Sequence, residues 1–251
     1  MAQSPQLTVI SKENFSGKTW RRHAGYAFAA RETLIPLVVA ELAQAVPAMP
    51  LGFVQSGEGF QLVAVTALQP GANLFVAPDG RWLGAYVPAA LRGYPFRLVK
   101  AQDRADSVLC IDEASGLVVE AGQGETFFDE DGQPSKALKG VLELLSQVER
   151  SRMATRTAVD ALAAAKLVQP WPLSIKQGEQ NVSVTGLYRI DEPALNALSN
   201  KTFTPLRRSG ALPVAYAQLL SMNQLSVLQR LSQIQAKLKA PTPSAVKTSQ
   251  G

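Results

Sequence analysis

The stretch Thr126-Phe127-Phe128-Asp129-Glu130-Asp131-Gly132-Gln133-Pro134-Ser135-Lys136-Ala137-Leu138-Lys139-Gly140-Val141-Leu142-Glu143-Leu144-Leu145 divides the chain. Up to Phe128 the apolar residues come in short runs separated by turn signals, of which Asp129-Glu130-Asp131-Gly132 is the last. From Ser135 the rhythm changes. Leu138, Val141, Leu142, Leu145 and Val148 recur every three or four residues, the spacing of one helix face. Ser135 stands where an N-cap is needed. The pattern runs on through Met153, Val159, Leu162 and Ala163 to about Leu167, where Gln169-Pro170-Trp171-Pro172 stops it. A helix of roughly 30 residues is long for a globular protein. It either breaks near Arg152 or bridges two halves of the molecule.

Working back toward the N-terminus, the expected elements are short. Tyr26 to Ala29 reads as a strand. Thr33 reads as the cap of a helix from about Leu34 to Val46, with Pro36 in its first turn. Leu51 to Val54 and Phe60 to Ala67 flank Ser56-Gly57-Glu58-Gly59 as a hairpin. Leu74-Phe75-Val76 and Trp82 to Tyr86 flank the turn Pro78-Asp79-Gly80. Pro88 to Arg92 reads as a helical turn. Phe96 to Val99, Ser107 to Ile111 and Leu117 to Glu120 read as strands, with a turn at Glu113-Ala114-Ser115-Gly116.

Beyond the long helix, Leu173 to Lys176 and Val182 to Tyr188 flank Gln177-Gly178-Glu179-Gln180 as a second hairpin. Asp191 caps a short helix with Pro193 in its first turn. Lys201 to Arg208 is another. Leu212 to Leu238 reads as one final helix, its stripe formed by Leu219, Leu220, Leu225, Leu228, Leu231 and Ile234. The expected class is α+β, with a sheet-rich N-terminal half carrying short helices and a helix-rich C-terminal half. Residues 7–132 form the mainly β region. Residues 135–238 form the mainly helical region with one β-hairpin, packed with the first as one composite domain. Residues 240–251 are small, polar and proline-bearing, as a disordered tail would be.

The 251 residues are 46% apolar and 18% charged, the balance of a soluble globular protein. The formal net charge is +5. All of that excess lies beyond Glu192, where seven Lys and Arg residues follow and no acid does. The basic residues are spread out and no aromatic side chains alternate with them, so a solvated face is the plainer reading and nucleic-acid binding the weaker one. Cys110 is the single cysteine. An intrachain disulfide is therefore excluded, and its apolar setting marks a buried thiol. The N-terminus lacks the features of a secretion leader. The most apolar stretch, Leu34 to Val46, is too short for a bilayer and carries Pro36 and Glu41. The expected compartment is the cytoplasm, with no transmembrane segment.

His23 is the single histidine. Any Ser-His-Asp or Cys-His site would have to use it, and two-histidine metal sites are excluded. Asp129-Glu130-Asp131-Gly132 resembles the start of a calcium loop, but Leu138 stands where the closing glutamate belongs. Gly122-Gln123-Gly124 lacks the third glycine of a dinucleotide loop. No catalytic residue, metal or cofactor is expected.

The densest stretch runs from Asn73 to Phe96. Trp82, Tyr86, Arg92, Tyr94 and Phe96 fall within it. Such a cluster serves as a recognition surface for a protein or small ligand, or as core packing.

This stretch carries a resemblance. Asn73-Leu74-Phe75-Val76, Gly80-Arg81-Trp82, Tyr86-Val87-Pro88, Leu91-Arg92 and Tyr94-Pro95-Phe96 resemble the signature of the bacterial SapC-like family. Ile35-Pro36-Leu37 to Glu41, Thr126 to Gly132, Gly186 to Glu192 and Leu212 to Leu231 agree with it as well, so the likeness spans about residues 7–235. The group meant is associated with a bacterial surface layer; it is not the peptide-importer permease of the same name, which needs several membrane spans. The resemblance implies surface association and supplies no catalytic residues.

The resulting expectation is a non-enzymatic binding or assembly protein whose partner, a protein or small molecule, meets Trp82, Tyr86, Arg92, Tyr94 and Phe96. The alternative is a cytosolic enzyme, or an accessory factor in nutrient uptake or metabolism, with a pocket around Arg92 and a carboxylate such as Glu41, Asp79 or Asp112. The third reading is nucleic-acid binding through the basic C-terminal helices.

Overall fold

The computed structural model of the chain describes residues 5–100, 107–177 and 180–239. The tail 240–251 and the turn centre at 178–179, both assigned above, lie outside the described residues. In chain order the strands are β1 (Leu7–Val9), β2 (Lys18–Trp20), β3 (Leu34–Pro36), β4 (Leu51–Ser56), β5 (Gly59–Val65), β6 (Phe96–Lys100), β7 (Ser107–Asp112), β8 (Val118–Glu120), β9 (Glu125–Thr126), β10 (Val168–Pro170), β11 (Leu173–Gln177), β12 (Gln180–Val184) and β13 (Tyr188–Ile190). The helices are α1 (Lys12–Phe15), α2 (Leu42–Ala45), α3 (Ala89–Arg92), α4 (Lys136–Ala164), α5 (Glu192–Asn196), α6 (Asn200–Arg208), α7 (Ala211–Ser221) and α8 (Leu225–Lys239). The class is α+β, with strands gathered in the N-terminal half and helices in the C-terminal half.

A five-stranded antiparallel sheet, ordered β10-β13-β4-β5-β3, takes strands from both halves. Two three-stranded sheets, β1-β7-β6 and β8-β2-β9, stand beside it, and β11-β12 is a separate hairpin. The first core lies around the five-stranded sheet and includes Phe53, Leu62, Phe75, Leu162, Ile190, Val214 and Leu231. A second core gathers Phe15, Trp20, Phe96, Ile111, Phe127 and Leu138.

α4 joins the two cores. Ser135 caps it, its hydroxyl accepting from the Leu138 amide at 3.1 Å and donating to the Thr126 carbonyl at 2.7 Å. Leu138 lies in the second core, whereas Ala158, Val159 and Leu162 lie in the first. The helix is unbroken at Arg152. It ends where Lys166 turns to a left-handed φ of 57° and Leu167 drops into the first core.

Four expected elements differ. Val182–Tyr188 is not one strand: β12 ends at Val184, and Tyr188 opens β13 in the five-stranded sheet. Tyr26–Ala29 is not a strand; Ala27–Ala29 is a single tight helical turn, closed by the Ala29 amide on the Tyr26 carbonyl. Leu34–Val46 is not one helix. Leu34–Pro36 pairs as an edge strand with Val63–Val65, a site where proline's missing amide is tolerated, and only short turns at Val39–Glu41 and Leu42–Ala45 are helical. Thr33 caps no helix; its hydroxyl accepts from the Gly71 amide at 2.9 Å. Leu212–Leu238 is likewise interrupted by a tight turn at Met222–Gln224, giving α7 and α8.

The break lets α7 complete the central sheet. β13 and β4 are in register at Tyr188 and Phe53 alone. Beyond that point α7 supplies what the ladder lacks. Gln218, fully buried, accepts from the Ile190 amide at 2.9 Å and donates to the Leu51 carbonyl at 3.2 Å. The Ser221 hydroxyl accepts from the Leu51 amide at 3.0 Å. A buried polar side chain thus satisfies backbone groups that would otherwise lack partners. No helix among the described residues is long and apolar enough to cross a membrane.

Candidate functional site

The aromatic stretch is assembled by its turns. Gly80 adopts a left-handed φ of 85°, and its carbonyl accepts from the Tyr26 amide at 2.7 Å. This bond brings the 23–28 segment onto the Pro78-Asp79-Gly80 turn. Val76 and Trp82 meet as an isolated antiparallel bridge, so the two runs flanking that turn do face one another. Gly84 leaves room for the ring beneath: a β-carbon there would fall 2.6 Å from Phe75 Cδ1 and 2.8 Å from Trp82 Nε1. α8 reaches over as well, Gln235 Nε2 donating to the carbonyls of Leu74 at 3.1 Å and Val76 at 2.6 Å.

These ties build a continuous run of rings. Phe75 and Trp82 stack at 5.2 Å between centroids, and Trp82 meets Tyr26 at 5.5 Å. Tyr26 and His23 meet at 5.0 Å. His23 touches Phe28 at 5.3 Å, and Phe28 stacks on Tyr94 at 3.8 Å with planes 11° apart. Phe75 is buried, while His23, Tyr26, Phe28, Trp82, Tyr86 and Tyr94 are each half-buried. The run is therefore partly open to the surface.

Arg92 is exposed, with its guanidinium carbon 5.9 Å from the centre of the Tyr86 ring. Trp82 Nε1 donates to the Tyr86 carbonyl at 2.8 Å. The Tyr86 hydroxyl donates to Glu41 Oε1 at 2.7 Å. Glu41 is 5% exposed, and its two oxygens also accept from the amides of Ala89 at 2.6 Å and Val38 at 3.1 Å. A buried carboxylate with three donors is satisfied in place. It fixes Tyr86 and the start of α3 against the Val38–Glu41 turn. Burial raises the Tyr86 phenol above its ordinary pKa, and donation to Glu41 adds to this. The phenol stays protonated at neutral pH.

The predicted residues thus divide. Trp82, Tyr86, Arg92 and Tyr94 share this face. Phe96 lies in the second core, 3% exposed, edge-on to Trp20 at 4.7 Å. Of the carboxylates considered with Arg92, Asp79 is bonded to Arg81 at 2.6 Å. Asp112 accepts from the amides of Gln6 at 2.8 Å and Ala114 at 3.1 Å. Three contributors carried no sequence signal for this face: His23 (singled out only as a catalytic candidate), Tyr26 and Phe28. Only the fold brings their segment to the 78–80 turn.

His23 Nδ1 lies 3.1 Å from the Gly25 carbonyl, which can only accept, so Nδ1 carries the proton. Burial lowers the imidazole pKa below its ordinary value, against an opposing effect of that hydrogen bond. Among the described residues His23 has no hydrogen bond to a hydroxyl or carboxylate. Nor is any group of three or more His, Cys, Asp and Glu placed to hold a metal ion among them. Cys110 is buried as expected, and burial raises its thiol pKa.

The chain belongs to the SapC family, whose sequence model matches residues 10–228. No curated protein and no solved structure matches it.

Proposed function

We propose that this SapC-family chain is a binding or assembly protein that captures a protein partner on the face formed by His23, Tyr26, Phe28, Trp82, Tyr86, Arg92 and Tyr94. The observation that carries the reading is the unbroken run of half-buried rings with an exposed arginine beside it. Tyr, Trp, Phe and Arg are the residues enriched at the centres of protein interfaces. Rings already packed against one another lose little freedom when a partner covers them.

The test compares wild type with Arg92→Ala and Phe28→Ala as immobilised baits in an extract of the native cells. Selective recovery of one protein by the wild type, lost in both variants while their circular dichroism is unchanged, supports the reading. Equal recovery by all three baits contradicts it. The family resemblance points to a surface layer as the setting. External protease on intact cells should then degrade the chain; full protection would return it to the cytoplasm.

A further inference from the structure

Apart from the aromatic face, α4, the β4–β5 turn and the segment from Pro36 to Glu41 border an open cavity of about 530 Å³. That lies within the size range of small-ligand sites. Part of its lining is apolar: Leu37 and Leu62 are buried, and half-buried Phe60 is held edge-on to Tyr188 at 4.9 Å. Its two buried polar residues, Glu41 and Thr155, are already used. Glu41 has its three donors, and the Thr155 hydroxyl accepts from the Val39 amide at 2.9 Å and donates to the Ser151 carbonyl at 2.7 Å. The apolar part suits a hydrocarbon chain, and the polar remainder of the lining suits a head group.

The α4 wall is different. Arg152 and Arg156 both line the cavity, one helical turn apart on one face. Both are exposed and loosely engaged, Arg152 with Glu149 at 3.3 Å and Arg156 with Asp160 at 3.7 Å. Exposed pairs of this kind contribute little, and each guanidinium keeps further donors for a planar anion. Glu58 and Asp160 also line the rim, which disfavours a dianion.

We propose that this cavity binds an amphipathic monocarboxylate, its apolar chain on Leu37, Phe60 and Leu62 and its carboxylate on Arg152 and Arg156. This stands apart from the aromatic-face reading, and either can fail alone. The test titrates decanoate, below its micelle concentration, into the labelled full chain and follows amide shifts and melting temperature. Decanoate should shift amides within residues 36–62 and 148–160 and raise the melting temperature with concentration. Arg152→Gln/Arg156→Gln, folded by circular dichroism, should bind at least about tenfold more weakly, as should decanol on the wild type. Absence of binding, equal binding by the double variant, shifts confined to residues 82–96, or tighter binding of decyl phosphate would each overturn the proposal.

Discussion

At the residue scale, Glu41 is the most informative side chain. Its carboxylate accepts from Val38, Tyr86 and Ala89 while almost wholly buried. Glu41→Gln keeps the shape, but its amide group opposes a donor that the carboxylate accepted. The expected cost is about 2–3 kcal/mol, read from urea denaturation. Tyr86→Phe removes one donor and should cost about 1 kcal/mol. His23 gives a pH dependence. An unfolded histidine takes its proton near 6.5, whereas the folded imidazole resists protonation because it is partly buried. Above 6.5 both states are neutral and this group contributes no slope. As pH falls from 6.5 toward the lower folded value, the unfolded state binds the proton first and stability drops. His23→Asn should flatten that part of a melting-temperature profile measured between pH 8 and 5; an unchanged slope would remove His23 from the account.

The element scale shows what the sequence made legible. α4 was readable from Ser135 and its leucine spacing because capping and periodicity are local. The β4–β5 hairpin was readable for the same reason. The segment at Leu34 was not: its cap-like Thr33 and apolar run suit a helix, but pairing with Val63–Val65 prevails. The split of α7 from α8 was also hidden, because the leucine stripe continues across it. Its purpose appears only in the fold, where Gln218 and Ser221 complete Leu51 and Ile190. Gln218→Leu should therefore cost about 2–4 kcal/mol by leaving backbone groups unpaired. Hydrogen exchange should show faster exchange at Ile190 first. The site divided in the same way. Trp82, Tyr86, Arg92 and Tyr94 were legible as a dense local cluster. Their neighbours His23, Tyr26 and Phe28 were not, since the Tyr26–Gly80 bond spans more than fifty residues of chain.

At the scale of the whole molecule, two cores share α4, and one sheet draws strands from both halves of the chain. We expect the two halves to unfold together as one composite domain. Trp20 reports the second core and Trp171 the first. Fluorescence from single-tryptophan variants and far-ultraviolet dichroism should give one coincident transition in urea; two separated transitions would divide the domain. The same architecture sets the aromatic face on a frame anchored by Glu41, Gln235 and the Gly80 turn. The central claim is that this face receives a partner. Photo-crosslinking in the native cells tests it most directly, with a benzophenone side chain placed at exposed Ala27 or Arg92 and, as control, at exposed Lys139 on α4. The account predicts one common adduct from positions 27 and 92, absent from position 139 and abolished by Tyr94→Ala. No adduct at 27 and 92, or the same adduct from all three positions, would contradict it.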